Sequence, residues 1–292
     1  MKKKSSLKHT GAFWAFCAPC CILFGVFFLV PLVLSIAFSF TNYDGWKTMD
    51  FVGLTNYITL FKDSKFYLSL GRTLLYTVCT LPFRVIIPLL VAVLLCSKSV
   101  AAKSLTRTMV YIPVLMSALV VGITINWMFS QEYGLVNFII RSLGGTALEW
   151  SLNPRLATFV ISFASVWASI GFNMILYIGG INSISNDLYE AATIDGASGV
   201  QAFFRITVPM LAPTTFMVVL LSTVNLLKEY ALVQGITQGG PGLSTTFIIQ
   251  YIFDKGFNQM QYGYASAIST VVMIIFALIA FAQFKVNNGG ET

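Results

Sequence analysis

EAATIDGASGVQAFFRITVPMLAP, residues 190–213, is a polar, turn-rich interval between two apolar runs, 156–181 and 213–233, each long enough to cross a bilayer. Its spacing reads as two short helices joined by a glycine corner. Asp187 falls in the first turn of one helix, Gly196 suits the left-handed residue that ends it, and Ser198 with Gln201 has the spacing of a capping box for the next. Pro209 is read as the stop of the second helix and Pro213 as the first turn of a third. Ala191, Ala192, Gly196, Ala197 and Gly199 are small enough for another surface to approach the backbone, while Phe203, Phe204 and Ile206 form an apolar face beside Arg205. From the residues alone, the stretch reads equally as a docking element or as an ordinary amphipathic loop helix.

The chain as a whole is too apolar for a soluble domain: 57% of its residues are hydrophobic, 10% are charged, and the mean hydropathy is +0.79. Apolar runs at 12–40, 73–96, 109–129, 156–181, 213–233 and 262–284 each reach the roughly 20 residues needed to cross a bilayer core. The first is longer than one crossing needs, so it tilts or begins as an interfacial helix around Phe13 and Trp14. The second is the least regular, with Pro82, Arg84 and Pro88 inside it. Ten-residue alternation of the barrel type is missing, and open sheet edges do not survive in lipid, which leaves helices. The expectation is an all-α integral membrane fold: a basic arm at 1–11, then one domain of six transmembrane helices at 12–292.

Lys2, Lys3, Lys4 and Lys8, and then Lys98, Lys103 and Arg107 after the second run, place the N-terminal arm and that short loop in the cytoplasm. Six crossings then put both termini and the 190–213 interval on the same side. Outer segments also hold Lys47, Lys62, Lys65, Arg141, Arg155 and Lys255, but over longer stretches and partly balanced by acids. The net charge of +7 therefore reads as orientation and contact with anionic lipid, not as a nucleic-acid surface. MKKKSSLKHT before the first run resembles a signal peptide, but the run is long and lacks a convincing cleavage site, so it is read as an uncleaved span.

Chemistry within the chain is not indicated. Cys17, Cys20, Cys21, Cys79 and Cys96 all lie in apolar runs and read as packing residues, and the lone His9 has no partner set, so no metal site is expected. Neither a phosphate-cradling G-x-x-x-x-G-K-[ST] nor a G-x-S-x-G elbow occurs, and the chain is not read as an enzyme. If energy drives it, another chain supplies that energy.

The pattern E-A-A-x-x-D-G-A followed by Phe203, Ile206, Pro209 and Pro213 resembles the cytoplasmic EAA loop of binding-protein-dependent ABC importer permeases. Other stretches are similar to the maltose-type carbohydrate branch: 31–44 ending SFTNYD, FVGLTNYITLF at 51–61, TQGGPGLST at 237–245 and YGYASAIS at 262–269. The resemblance implies the type I importer permease fold, with a coupling loop at about 185–212 that seats in an ATPase subunit through Glu190, Ala191, Ala192, Asp195, Gly196, Phe203, Ile206 and Pro209. It implies a second permease subunit, usually a different chain, and two ABC ATPases that bind ATP and Mg, this chain itself holding no cofactor. It implies also an extracytoplasmic sugar-binding protein docking over 41–67 and 238–259, and a place in a bacterial or archaeal cell (inner) membrane.

The same resemblance carries sugar contacts to Ser165, Ala168, Ser169 and Phe172 before the loop, and to Ser222, Asn225, Leu226 and Glu229 after it. Each set follows i, i+3/i+4, i+7 and would form one helix face. Polar groups with one aromatic ring suit a sugar, while interhelical packing by Ser and Asn explains single positions equally well. Arg84 and Lys228 are further candidate charges on the path, and Arg84 or Glu229 could instead form an internal ion pair or meet the partner permease. Two other readings stay open: a permease for a non-sugar solute such as a polyol phosphate, and a stand-alone secondary transporter or membrane enzyme.

Overall fold

The computed structural model describes residues 10–46, 49–97 and 103–288; residues 1–9, which hold nearly all of the basic arm and His9, and the basic residues Lys47 and Lys98 lie outside the described residues. The helices that matter here run in chain order as α1 Trp14–Phe38, α2 Thr55–Lys62, α3 Ser64–Cys96, α4 Lys103–Leu115, α5 Ala118–Met128, α6 Leu135–Ser142 and α7 Pro154–Asn182. They continue as α8 Asn186–Ile194, α9 Gly199–Met210, α10 Ala212–Leu227, α11 Ala231–Ile236, α12 Ile248–Phe253 and α13 Tyr262–Asn288. The β-structure among the described residues is a lone antiparallel bridge between Thr41 and Phe51.

Of the six expected spans, four are unbroken helices long and apolar enough to cross a membrane: α1, α3, α7 and α13. The other two are corrected. The 109–129 run is not one span helix but α4 and α5, bent by 100° at a break where Ser117 is extended (φ −59°, ψ 135°). The 213–233 run stops as a helix at Leu227 and is bent by 66° from α9. Counting each bent pair as one span gives six.

Proline explains two local departures from α geometry. Without an amide hydrogen it cannot continue the i→i−4 ladder, and an inserted residue lets the chain step over the gap. One π-turn, Gly25–Leu29, precedes Pro31, with Val30 N donating to Gly25 O. The other, Phe203–Thr207, precedes Pro209, with Val208 N donating to Phe203 O. The second helix of the 190–213 interval therefore runs past Pro209 to Met210 instead of stopping at it.

Contacts divide the chain into two units, Met1–Ser64 with Ile252–Ile275, and Lys65–Tyr251 with Phe276–Thr292. In the first unit, three of the stretches that carry the resemblance tie one corner together. Asn56 Nδ2 donates to Ser39 O (2.9 Å) and Thr41 O (2.8 Å). Gly263 N donates to Tyr43 O at 3.0 Å, and the Tyr264 hydroxyl donates to Asp63 Oδ2 at 2.7 Å. Any side chain at 263 would collide with the Thr41 carbonyl, so glycine is required there by close approach. Asn56→Leu removes the donor that both carbonyls accept from and is expected to lower the thermal midpoint of the purified chain by about 5 °C, read by melting in detergent.

In the second unit the core has two parts. Tyr76, Ile125, Phe129, Ile161, Leu226 and Phe247 belong to one, and Ala92, Met174, Tyr177, Leu211 and Val218 to the other. Small residues bring backbones together, as is usual where lipid removes the hydrophobic drive between helices. A Cβ at Gly122 of α5 would lie 3.0 Å from Gly235 Cα of α11, and one at Gly171 of α7 would lie 2.7 Å from Tyr111 Cα of α4. The TQGGPGLST stretch closes on itself through Thr237 Oγ1 and Thr245 Oγ1 at 2.7 Å, and just beyond it Ile248 N donates to Thr73 Oγ1 of α3 at 2.9 Å.

Candidate functional site

Two groups of residues are candidates for function, and both lie in the second unit. The first is the hairpin α8–α9. Ser185 caps α8, accepting from Asp187 N at 3.3 Å, and Asp187 adds its carboxylate to the first turn. Gly196 takes φ +77°, and the amides of Gly196 and Ala197 return to Thr193 O and Ala192 O, which satisfies the last carbonyls of α8. Ser198 and Gln201 then form the reciprocal capping box of α9, at 2.8 and 3.3 Å. Each of these features is local; Asp187, Gly196 and the Ser198–Gln201 box were legible from residue spacing, whereas the Ser185 cap was not singled out.

The hairpin presents an apolar surface. Ile194 is 86% exposed, Val200 68% and Phe204 64%, beside exposed Glu190, Ala191, Asp195 and Gly196. Ala192, Asp195, Gly196, Ala197, Arg205 and Ile206 line a groove of about 350 Å³ on it. Large exposed apolar side chains of this kind mark a surface that meets another macromolecule or a membrane. Of the eight positions assigned to coupling, all are on the hairpin; Ala192, Phe203 and Ile206 are half-buried, and Ile206 packs against the second core cluster as well as lining the groove. Residue spacing did not single out Ile194 and Val200, which are the most exposed large apolar side chains of the hairpin. It also missed Tyr189, whose hydroxyl meets Thr207 Oγ1 at 2.9 Å and braces the two arms.

The hairpin is joined to its neighbours almost without slack. Three residues, 183–185, separate α7 from α8, and Leu211 alone separates α9 from α10. The second group of candidates lies on these two neighbours, α7 and α10.

On α7, Ser165 is buried, Ala168 and Ser169 are half-buried and Phe172 is exposed. On α10, Ser222 and Leu226 are buried and Asn225 is exposed. Glu229 departs from the expected face because α10 ends at Leu227; its Oε1 accepts from Leu232 N at 3.4 Å, at the start of α11. Lys228 lines a small cavity of about 30 Å³ with Thr223, Phe276, Ile279 and Gln283.

Arg84 is engaged instead of open. It is 7% exposed, and its Nε and one terminal nitrogen donate to Ser165 O at 3.2 and 3.0 Å. Asn173, which residue spacing does not single out, donates from Nδ2 to Arg84 O at 2.9 Å and to Ser222 Oγ at 3.2 Å. The structure thus brings Arg84, Ser165 and Ser222 into one buried network and leaves Phe172 and Asn225 as the exposed members of the two expected faces.

Comparisons with known proteins agree with this architecture. Residues 52–288 match the family described as binding-protein-dependent transport system inner membrane component. The chain is 32% identical over 279 residues to the arabinooligosaccharides transport system permease protein AraP of Bacillus subtilis, covering 94% of this chain and 88% of that protein. It is 32% identical over 276 residues to the lactose transport system permease protein LacF of Rhizobium radiobacter, covering 93% and 92%. A solved bacterial ABC transporter involved in the import of the acidic polysaccharide alginate shares the fold, with a TM-score of 0.83 at 24% identity over 97% of this chain and 96% of that one.

Proposed function

Because this chain belongs to the binding-protein-dependent transport system inner membrane component family, we propose that it forms half of the membrane pathway of an ATP-driven sugar importer and takes its motion from an ATPase through the α8–α9 hairpin. One observation carries the proposal: the exposed apolar hairpin is joined at one end to α7 and at the other to α10, the two helices that carry the candidate solute contacts. A rigid-body shift of the hairpin is transmitted to both. The glycine corner and capping box fix the angle between its arms, so force on the corner moves helices instead of deforming a loop.

The reading requires partners. A second permease subunit supplies the other half of the pathway, and two ABC ATPases hold ATP and Mg and grip Glu190, Ala191, Ala192, Asp195 and Gly196. A sugar-binding protein delivers solute from outside, and both termini of this chain face the cytoplasm. A sugar as solute follows from the named transport of the relatives, an arabinooligosaccharide and lactose, and from the surface itself. Phe172 offers a ring for the C–H face of a sugar, and Asn225 offers both a donor and an acceptor for hydroxyls.

Deleting the gene and measuring uptake of a panel of labelled neutral oligosaccharides, acidic sugars and polyol phosphates tests the reading. Loss of uptake of a sugar, restored by the wild-type gene, is the expected result; loss of polyol phosphate uptake alone would favour the non-sugar permease. In the restored strain, Phe172→Ala and Asn225→Ala are each expected to raise the apparent KM for that sugar about tenfold, with Lys228→Ala leaving it within about twofold.

A further inference from the structure

Pro88 lies inside the continuous helix α3 and has no amide hydrogen, so the carbonyl four residues before it, that of Arg84, lacks the donor that helix geometry would supply. Exposed to water such a carbonyl is hydrated; within a bilayer a protein group must meet it. That group is Asn173 of α7, whose Nδ2 lies 2.9 Å from Arg84 O. The same nitrogen lies 3.2 Å from Ser222 Oγ of α10. Asn173 is 3% exposed and Ser222 2%, so neither bond is exchanged with solvent. Arg84 closes the circuit by donating from its own side chain to Ser165 O of α7, two turns before Asn173.

Each bond answers a particular need. The carboxamide has two N–H donors, one directed at a carbonyl that proline has orphaned and one at a hydroxyl on a third helix. Serine or threonine at 173 would be too short to serve both, and leucine would leave a buried carbonyl unmet. We infer that Asn173 is a positioning residue: its carboxamide stands in for the missing amide of Pro88 and pins α3 to α7 and α10. The three helices then move as one body when the hairpin between α7 and α10 is driven. This last step rests on the importer reading above, whereas the pin itself rests on geometry alone.

The pin makes Pro88 and Asn173 interdependent, which a packing role for Asn173 would not. In the wild-type background, Asn173→Leu is expected to lower the thermal midpoint of the purified full chain by about 5 °C. It should also lower uptake of the sugar identified by the deletion panel about tenfold at equal membrane content. In a Pro88→Ala background the new alanine amide serves Arg84 O, and the same substitution should lose at least half of both effects. Ser222→Ala removes only the α10 leg. Its smaller effect should be the same in either background, and it serves as the reference if Asn173→Leu accumulates poorly.

An Asn173→Leu penalty of equal size in the wild-type and Pro88→Ala backgrounds would overturn the pin. A lowered midpoint with normal uptake would overturn its part in transport. Failure of the importer reading is visible separately, as absence of any uptake that depends on the wild-type gene, and the melting cycle still decides the pin in that case.

Discussion

Gly196→Val is expected to lower ATP-driven uptake about thirtyfold, while the chain reaches the membrane at its normal level. Gly196 takes φ +77°, and a Cβ built on it meets nothing within 4 Å, so a side chain there is opposed by the backbone alone. A β-branched residue resists this region most strongly, by about 2 kcal/mol or more, and the strained corner reopens. The arms α8 and α9 then lose the fixed angle that presents Ile194, Val200 and Phe204 together. Because the corner is exposed and Gly196 belongs to neither core cluster, folding of the second unit continues. The series has an internal ruler: Asn, which tolerates the left-handed region, should retain most activity, Ala less, and Val or Pro least. Uptake rate per unit of membrane-inserted chain is the measurement, and an equal loss for Asn and Val would mean that bulk, not conformation, matters.

Gly171→Leu is expected to remove the folded chain altogether. A Cβ at 171 would stand 2.7 Å from Tyr111 Cα and Val110 O, which are backbone atoms of α4 that cannot rotate away. Relieving the overlap means parting α4 from α7, along a contact that involves much of both helices, and overpacking of this kind costs about 3 kcal/mol or more. The matched control is Gly179→Leu, two turns further along the same helix, where a Cβ meets nothing within 4 Å. Size-exclusion profiles of the two purified variants should differ sharply: aggregate or no protein for 171, and a wild-type peak for 179. Similar profiles would show that α4 is not held at this distance.

The parts of this protein that could be read from residue order are those set by neighbours in the chain. The left-handed Gly196, the Ser198–Gln201 box, Asp187 in a first turn and Pro213 at the start of α10 are all local, and the structure has each of them. The apolar runs also became helices, because length and hydropathy alone require it of a chain in lipid. What was not legible depends on which faces meet. Hydropathy does not mark a break, so the bend between α4 and α5 and the early end of α10 were missed. The periodic face 222, 225, 226, 229 mixes buried Ser222 and Leu226 with exposed Asn225, and its last member is not on the helix at all. Asn173 stayed hidden for the same reason: its partner carbonyl on α3 is 89 residues away in the chain. A signal did exist, since Pro88 announces an orphaned carbonyl in an apolar helix and some polar side chain elsewhere has to answer it.

The motifs shared with the carbohydrate branch turn out to be structural fasteners. Asn56 and Gly263 hold one corner of the first unit, and the two threonines of TQGGPGLST close a loop that abuts α3. In the proposed importer, solute choice is expected at exposed positions such as Phe172 and Asn225.

The central claim, that the α8–α9 hairpin is the seat of the motor, is tested most directly by photocross-linking from it in native membranes. A benzophenone amino acid replaces Val200 in one strain, and Leu143, 83% exposed and far from the hairpin in the chain, in another. The account predicts that irradiation joins the 200 variant to a protein that mass spectrometry identifies as an ABC ATPase, and that the 143 variant gives no such product. Cross-links from 200 to lipid alone, or to the same proteins as 143, would contradict it.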